Sequence, residues 1–229
     1  MKVLVIGYGL LGKELVRQTG WDYICRSEEG IDFSNYKTYE SFLEGYTCII
    51  NCVAHTDTYS EDRQTHWDVN YKGVADLVSL CNEKQKKLVH ISSDYVYANS
   101  KRNASEDDVP VHCNTWYGYT KLLGDGHVQL RSNNYLLIRC THKPNPFPYK
   151  KAFVNQVGNF DYVDKVSEKI ICLVNNGCCG VYNVGTPVKS MHELAKTTLD
   201  EVEPMNAVCH ENMPLDVSMD ISKMEKELS

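Results

Sequence analysis

The sequence predicts an α/β fold in which helices cover both faces of a parallel sheet, with a small additional lobe. Two observations carry this prediction. Short Val- and Ile-rich runs alternate with amphipathic helical segments along the chain, a pattern typical of parallel sheets. The length of 229 residues suits one large domain, or one domain with a small lobe.

The predicted strands are short apolar runs, as expected for strands buried on both faces, and the predicted helices repeat apolar residues every three or four positions. The last helix begins at a Ser with a Glu three residues later, which indicates a capping box. Three closely spaced prolines predict a loop at 140–160. We predict strands at 2–6, 22–25, 47–53, 87–92, 135–139 and 180–184, and helical segments at 10–19, 36–46, 61–84, 115–131, 166–175 and 190–200.

Composition excludes several classes of protein. With 42% hydrophobic residues the chain has too much apolar content for a disordered protein. No apolar run reaches the roughly 20 residues that a membrane helix needs, and glycines interrupt the apolar N-terminal run, so we expect no signal peptide. The net charge of -6, without a stripe of Lys or Arg, argues against nucleic acid as a partner.

The cysteines indicate a reducing compartment. There are ten, and none forms a C-x-x-C motif that would suggest a metal site. Most are expected to be small buried side chains of a cytoplasmic protein without disulfides. No metal site is predicted.

A glycine-rich sequence, GYGLLG at 7–12, directly follows the first strand and begins the first helix. In this G-x-G-x-x-G spacing Gly7 would make a tight turn, Gly9 would let a pyrophosphate approach the backbone, and Gly12 would let helix and strand pack closely. The helix N-terminus offers free N–H groups to phosphates. The predicted fold class is therefore a Rossmann-type, doubly wound parallel sheet with a small, reduced substrate-binding lobe.

The end of the second strand distinguishes two dinucleotide cofactors. An acid there binds the ribose 2′-hydroxyl of NAD, whereas an Arg accommodates the 2′-phosphate of NADP. Arg26 lies at this place, which favours NADP(H) over NAD(H). The nearby Glu28 and Glu29 would repel a phosphate and weaken that preference.

Tyr117 and Lys121 form a Y-x-x-x-K motif near the start of a predicted helix, where i, i+4 spacing puts them on one face. The unperturbed pKa of Tyr is about 10, and a neighbouring ammonium would lower it. The pair could then give or take a proton at a carbonyl or alcohol oxygen. The hydroxyls of Ser92 and Ser93 follow another strand, at the sheet edge where ligands bind, and could polarise the same oxygen.

The order of these motifs resembles the extended short-chain dehydrogenases/reductases, and among them the dTDP-4-dehydrorhamnose reductases and related nucleotide-rhamnose synthases. HISSDYVY at 90–97 and WYGYTK at 116–121 are the most specific matches. The other collinear matches are GYGLLG (7–12), IDF (31–33), NCVAHT (51–56), DVN (68–70), YLLIR (135–139), VNQVGN (154–159), YVDKVSEKI (162–170), GVYNVG (180–185) and LDVSMDISKME (215–225).

The resemblance implies NADPH-dependent reduction of the 4-keto group of a nucleotide-linked 4-keto-6-deoxy-sugar, of the dTDP- or UDP-4-dehydrorhamnose type, in deoxysugar biosynthesis. It places the catalytic hydroxyl on Ser93, the acid on Tyr117 and the lysine on Lys121. The implied cofactor-binding residues are Gly7, Gly9, Leu10, Leu11, Gly12, Arg26, Asp32, Phe33, Val53, Ala54, Thr56, Asn70, Tyr117 and Lys121.

The chain departs from the family in the region expected to bind the substrate. Family members are longer, and much of the missing length lies at 140–154, where relatives have a helix that helps to hold the nucleotide-sugar. We therefore predict an NADP-binding core at 1–139, and at 140–229 a reduced substrate lobe interleaved with the last core strand and helix. Lys143, Lys150 and Lys151 could meet a diphosphate or could be solvated loop lysines.

Several alternatives stay open. The chain could be a non-catalytic or regulatory NADP-binding module, as is the beta subunit of methionine adenosyltransferase, which resembles the same family. It could also act on a different substrate, or epimerise the keto sugar with a Cys or His near the ring. The candidates for epimerisation are His112, Cys113 and His142.

The resemblance also extends to assembly. Relatives often dimerise through the two long helices, here 61–84 and 115–131. A homodimer of this chain would place Tyr71, Val78 or Leu122 on an outer face.

Overall fold

A six-stranded sheet forms the centre of the computed structural model, which describes residues 1–207 and 212–229. All five pairings in this sheet are parallel. The strands of the chain are β1 (Val3–Ile6), β2 (Asp22–Ile24), β3 (Cys48–Asn51), β4 (Lys87–Ile91), β5 (Tyr135–Arg139), β6 (His142–Lys143), β7 (Lys151–Phe153), β8 (Val157–Gly158), β9 (Asp161–Tyr162), β10 (Gly180–Asn183), β11 (Lys189–Ser190), β12 (Glu203–Met205) and β13 (Asp216–Val217).

The spatial order of the central sheet is β2-β1-β3-β4-β5-β10. The chain leaves β1 towards β2 on one side and then returns to place β3 on the other side. In open α/β sheets this reversal creates a crevice at the carboxyl ends of the two strands, where ligands bind. The crevice therefore lies between the loops that follow β1 and β3.

Helices cover both faces of the sheet, which confirms the predicted doubly wound fold class. Side chains alternate along β1: Val3 and Val5 belong to a hydrophobic cluster that includes residues of α1 and α6, whereas Leu4 and Ile6 belong to a second cluster that includes residues of α4. The helices are α1 (Leu10–Thr19), α2 (Arg26–Glu29), α3 (Arg63–Trp67), α4 (Gly73–Glu83), α5 (Trp116–Arg131), α6 (Val163–Asn175), α7 (Met191–Lys196) and α8 (Ser222–Leu228).

The helical segment predicted at 61–84 is one helix with a defect. Asp62 caps its start, accepting a hydrogen bond from the Thr65 backbone N–H at 3.1 Å. A π-helical turn, Asp68–Lys72, then separates α3 from α4. Such turns insert an extra residue into a helix and are frequent at functional sites.

The segment predicted as helical at 36–46 contains two 3₁₀ helices, Tyr36–Thr38 and Glu40–Leu43. Tyr39 and Leu43 are buried, as their spacing predicts. The segment is short and ends at Gly45, whose φ of 78° stops a right-handed helix.

A third hydrophobic cluster lies outside the two sheet faces and forms the core of the small lobe. The lobe is built mainly from the chain after β5, including the predicted loop at 140–160, which contains β6, β7 and β8. The capping box predicted at Ser190 is present at the start of α7. The buried cluster members are Phe147, Ala152, Phe160, Tyr162, Met191, Leu194, Ala195, Val202 and Val217.

The chain returns from this lobe to the main sheet through α6 and β10. Because β10 returns to the central sheet after the lobe strands β6–β9, the chain crosses between the two parts more than once, and the division at residue 139 stays a prediction. Within the described residues, no helix is long and apolar enough to cross a membrane.

Nine cysteines lie in the part of the chain that the structure describes, and all nine are free thiols. Seven of them are buried or half-buried; Cys172 and Cys179 are exposed. The tenth, Cys209, lies outside the described residues. No group of three or more potential His, Cys, Asp or Glu metal ligands is found within 1–207 and 212–229.

Candidate active site

Two adjoining cavities lie at the carboxyl ends of the central strands. The first, of about 450 Å³, is lined by Ser93, Tyr117 and Lys121, and we call it the catalytic cavity. The second, of about 730 Å³, extends towards β2 and is lined by Arg26. Because they share wall residues, the two form one continuous crevice. The shared residues are Gly9, Cys52 and Ala54.

The glycine turn after β1 has the geometry of a phosphate cradle. A Cβ on Gly12 would lie 2.0 Å from the Gly7 carbonyl oxygen, so no larger residue fits there. A Cβ on Gly9 would meet nothing within 4 Å. Packing within the protein therefore explains Gly12, whereas the open space at Gly9 suits a ligand that approaches the backbone.

The N-terminus of α1 faces this space without a side-chain cap. Its first N–H groups are free for an anion, and the helix dipole favours negative charge. Leu10, Leu11 and Gly12, which form this first turn, line the catalytic cavity. These are residues that the sequence assigns to the cofactor.

The cavity beside β2 has the features of an adenosine site. Arg26 is exposed at the start of α2, and Phe33 is buried on the cavity wall. The Asp32 carboxylate accepts hydrogen bonds from Ser34, which hold its pKa below the usual value. Gly7, Val53 and Ala54 complete the cofactor-binding predictions found on this wall.

The acids that follow Arg26 are engaged by other groups. Glu28 accepts a hydrogen bond from the Tyr23 hydroxyl at 2.9 Å, and Glu29 accepts one from the Cys25 backbone N–H at 2.6 Å. Neither acid is among the residues that line the cavity. The arrangement leaves the Arg26 guanidinium as the charged group of α2 that faces the adenosine side.

Asn70 supports the loop after β3. It is buried beneath this loop, accepts a hydrogen bond from the His55 backbone N–H at 2.8 Å and donates to the His55 carbonyl at 3.1 Å. Thr56, the residue after His55, lines the catalytic cavity, whereas Asn70 lines neither cavity. In this geometry Asn70 would act on a cofactor through the backbone that it fixes.

The catalytic cavity brings the three predicted catalytic residues together from two elements. Ser93 follows β4 and caps a short 3₁₀ helix, accepting a hydrogen bond from the Tyr95 N–H at 3.2 Å. Tyr117 and Lys121 lie one turn apart on α5, whose start is capped by Thr115. The buried Lys121 Nζ donates to the Ile91 carbonyl at 2.8 Å, which fixes the amine at the end of β4.

Burial controls the ionisation of the pair on α5. The sequence predicts that Lys121 lowers the Tyr117 pKa, but in the structure burial raises this pKa above its usual value, and hydrogen bonding with Ser93 only partly opposes the rise. Burial also lowers the pKa of Lys121, opposed by the charge of Asp125. Tyr117 is therefore a protonated phenol at neutral pH.

A buried ion pair between α5 and the end of β5 was not predicted. Asp125 lies one turn beyond Lys121, and one of its oxygens accepts a hydrogen bond from Arg139 Nε at 3.0 Å. Both side chains are almost completely buried, and Arg139 also donates to the Tyr97 hydroxyl. One carboxylate thus compensates two buried cations, Lys121 and Arg139.

Other residues in the catalytic cavity, or beside Tyr117 behind its wall, were missed or only partly recognised. His66 is buried with its ring centroid 6.4 Å from that of Tyr117, and the ring of Tyr95 lies 6.0 Å away on another element. Thr141 and Lys143 follow β5 and line the same cavity. Their position directly after a strand, at the edge where ligands bind, was the available signal.

The three candidates for epimerisation separate in the structure. His142 lines the catalytic cavity, and burial lowers its pKa to about 4, so its imidazole is neutral. The Cys113 thiol is buried against the Thr115 hydroxyl, and His112 lines a different, small surface pocket. Of the three, His142 alone is placed to meet a ligand in the catalytic cavity.

The residues suggested for a dimer surface differ in exposure. Val78 is 1% exposed and belongs to the core of its own chain, so it does not provide the outer-face exposure that would indicate a dimer. Tyr71 packs between Trp67 and His127, and Leu122 packs partly against the main cluster.

A doubly wound sheet, a glycine turn at its switch point and a Ser-Tyr-Lys set in the adjoining cavity define an oxidoreductase of the extended short-chain dehydrogenase/reductase type. The model of the RmlD substrate binding domain family matches residues 1–143. The chain belongs to this family.

The relatives by sequence include a nucleotide-sugar reductase and a polysaccharide biosynthesis protein. The chain is 26% identical over 217 residues to the dTDP-4-keto-6-deoxy-D-glucose reductase of Streptomyces niveus, covering 83% of this chain and 74% of the relative. It is 23% identical over 224 residues to the spore coat polysaccharide biosynthesis protein SpsK of Bacillus subtilis, covering 87% and 79%.

Solved structures share the whole fold. A hypothetical dTDP-4-dehydrorhamnose reductase from Sulfolobus tokodaii superposes with a TM-score of 0.84 at 25% identity, covering 99% of this chain and 94% of that one. The dTDP-4-dehydrorhamnose reductase of Bacillus anthracis, solved in complex with NADP, gives 0.84 at 21% identity, covering 99% and 93%. The predicted family and fold class are thereby confirmed.

Proposed function

We propose that the chain catalyses NADPH-dependent reduction of the 4-keto group of a nucleotide-linked 4-keto-6-deoxy-sugar, of the dTDP- or UDP-4-dehydrorhamnose type. The observation that carries this proposal is the placement of Ser93, Tyr117 and Lys121 in one cavity that continues into a dinucleotide crevice. The names of the relatives support the substrate class.

The residues present fit NADP(H). Open space at Gly9 and the uncapped start of α1 would receive the pyrophosphate, and Arg26 would receive the 2′-phosphate. When bound, NADPH would supply the hydride that reduces the ketone carbon. The NADP complex of the Bacillus anthracis structure supports this cofactor.

Tyr117 would provide the proton in this reaction. The ketone oxygen gains negative charge as its carbon is reduced, and it needs a proton donor within hydrogen-bonding reach. The raised pKa of Tyr117 keeps the phenol protonated at neutral pH, which is the form required for the reductive direction. The Ser93 hydroxyl, at the end of β4, would turn from the Asp94 carboxylate, to which it now donates, and donate a second hydrogen bond to the same oxygen.

Lys121 would hold the nicotinamide ribose in position beside Tyr117 and Ser93. Its side chain reaches from α5 to the carbonyl of Ile91, beside the strand end that carries Ser93. Lys121 lines the same cavity as Tyr117, and the two N–H donors that do not bind Ile91 would be available there to the nicotinamide ribose. The Asp125 carboxylate favours the charged form of this amine.

The proposal also covers the division of the chain into two parts, its cellular location and its oligomeric state. We infer a cofactor core at 1–139 and a substrate lobe within 140–229, a cytoplasmic location and a homodimer through the long helices. The free thiols and the separate hydrophobic cluster of the lobe support the first two inferences. Sedimentation of the purified chain would test the dimer.

The decisive experiment is to incubate the purified protein with NADPH and a dTDP- or UDP-4-keto-6-deoxy-hexose and to follow NADPH absorbance. We expect consumption of one NADPH per sugar reduced and a 6-deoxy-hexose product with a hydroxyl at C4. NADPH binding without turnover on any such sugar would favour the regulatory module instead. Incorporation of deuterium from D₂O next to the keto group, lost in His142→Gln, would show epimerisation as well.

A further inference from the structure

The catalytic cavity contains a lysine with an unusual position. Lys143 lies at the end of β6, four residues after β5, and its side chain is half-buried on the cavity wall. Among the described residues, no carboxylate lies within 4.0 Å of its amine, and the amine makes no hydrogen bond. A desolvated ammonium without a partner is costly, so the site suits an anion.

The other lysines nearby differ from Lys143. Lys151 forms an ion pair with Glu203 at 3.0 Å on the lobe surface, and Lys189 lies 3.5 Å from Asp161. Lys150 is exposed and lines neither of the two cavities. The three lysines that the sequence groups together as candidates for a diphosphate thus have separate environments, and only Lys143 faces the reacting groups.

The nearest negative charge is already engaged. Asp94, which follows Ser93, is buried and accepts hydrogen bonds from the hydroxyls of Ser93 and Thr141. Its charge attracts Lys143 through space, but burial still lowers the pKa of the Lys143 amine. The Thr141–Asp94 hydrogen bond also fixes the backbone just before Lys143, which positions the amine at the cavity.

We propose that Lys143 is the anion-binding residue of the substrate pocket, and that its ammonium holds an oxygen of the diphosphate next to the sugar. This proposal rests on the proposed function. An anionic oxygen could also come from a carboxylate on the sugar itself, and the experiment below separates the two sources.

The test measures binding without turnover. Protein saturated with NADP⁺, so that cofactor phosphates are already bound, is titrated by calorimetry with thymidine diphosphate and, separately, with glucuronate. We expect thymidine diphosphate to bind and Lys143→Met to weaken it about 10- to 100-fold, the range for a charge-assisted hydrogen bond. Lys150→Met is the matched control and should bind thymidine diphosphate like the wild type.

Stability separates this role from a structural one. Removing an ammonium whose pKa is lowered by burial removes a cost of folding, so Lys143→Met should leave Tm unchanged or higher while it loses the diphosphate. In turnover assays it should raise KM for the nucleotide-sugar and leave NADP⁺ affinity unchanged. Lys143→Arg, which keeps the charge, should retain more affinity than Lys143→Met.

Three outcomes would overturn the proposal. They are equal thymidine diphosphate affinity in Lys143→Met and the wild type, an equal loss in Lys150→Met, and a Lys143-dependent affinity for glucuronate with none for thymidine diphosphate. The last outcome would assign the site to a sugar carboxylate. If the wild type reduces no keto sugar, the proposed function is wrong. The calorimetric result for thymidine diphosphate can still be interpreted in that case, because it does not depend on turnover.

Discussion

The two ends of the crevice are built differently. At the cofactor end the backbone makes the site: a glycine turn, the start of α1 and the loop that Asn70 supports. At the reaction end side chains make it, and they come from α5 and from the ends of β4 and β5, far apart in sequence. A backbone site depends on a few small residues, whereas a side-chain site depends on the buried charges that position each group.

This difference predicts separate failures. Changes at the cofactor end should weaken NADPH binding, and changes at the reaction end should slow turnover with NADPH still bound. Substitutions at each end can therefore test whether cofactor binding and turnover fail independently.

The largest effect is expected at the reaction end. Tyr117→Phe removes the proposed proton donor and should reduce kcat by about 10²- to 10⁴-fold, the usual contribution of a general acid. NADPH affinity, measured by fluorescence titration, should remain within about threefold, because the ring and its packing stay. A variant with near-normal kcat would show that another group supplies the proton.

Asp125→Asn should be next in size, because it leaves Arg139 and Lys121 as buried cations without a carboxylate. We expect a loss of about 3–5 kcal/mol in the free energy of unfolding, measured by urea denaturation. Glu168→Gln, which breaks an exposed pair with Lys165, is the control and should change little.

The same variant has a pH signature. Asp125 favours the charged form of Lys121, so its loss should lower the Lys121 pKa further. The alkaline decline of kcat/KM should then move to lower pH, because the neutral amine forms earlier on titration. An unchanged pH profile in a folded Asp125→Asn protein would limit Asp125 to a structural role.

At the cofactor end Gly12→Ala should lose NADPH binding and about 1–3 kcal/mol of stability, because its Cβ would lie 2.0 Å from the Gly7 carbonyl oxygen. Gly126→Ala on α5 is the matched control, since a Cβ there meets nothing within 4 Å. Ala is the better helix former, so this control should be neutral or slightly stabilising. Equal behaviour of the two variants in thermal melts would contradict the described turn.

The smallest effect concerns the choice of cofactor. Arg26→Ala should weaken NADPH binding by about tenfold, the equivalent of ~1.4 kcal/mol, and leave NADH affinity nearly unchanged. The ratio of the two dissociation constants is the measurement. A parallel loss for both cofactors would mean that Arg26 does not read the 2′-phosphate.

The cofactor end could be predicted from the sequence, because the spacing of the glycines indicates the backbone geometry of the turn directly. Short apolar runs likewise predicted the six strands of the central sheet, and helical spacing predicted most of the longer helices, but neither pattern predicted the short strands of the lobe. Asp125 could not be recognised, since it lies on an amphipathic helix like a surface charge and its partner Arg139 is 14 positions away. The Asp94–Thr141 bond spans 47 positions, and its significance depends on burial that periodicity does not report.

Because of the π-helical turn at Asp68–Lys72, the orientation of α3 relative to α4 depends on the exact number of residues in this turn. An α-helix advances about 100° per residue, so deleting one residue from the turn would restore a regular helix and rotate α3 about its axis relative to α4. With the deletion at Lys72, His66 would leave the neighbourhood of Tyr117, although every side chain that lines the cofactor crevice would still be present. An insertion or deletion of a single codon here would thus disable the site more surely than most substitutions nearby.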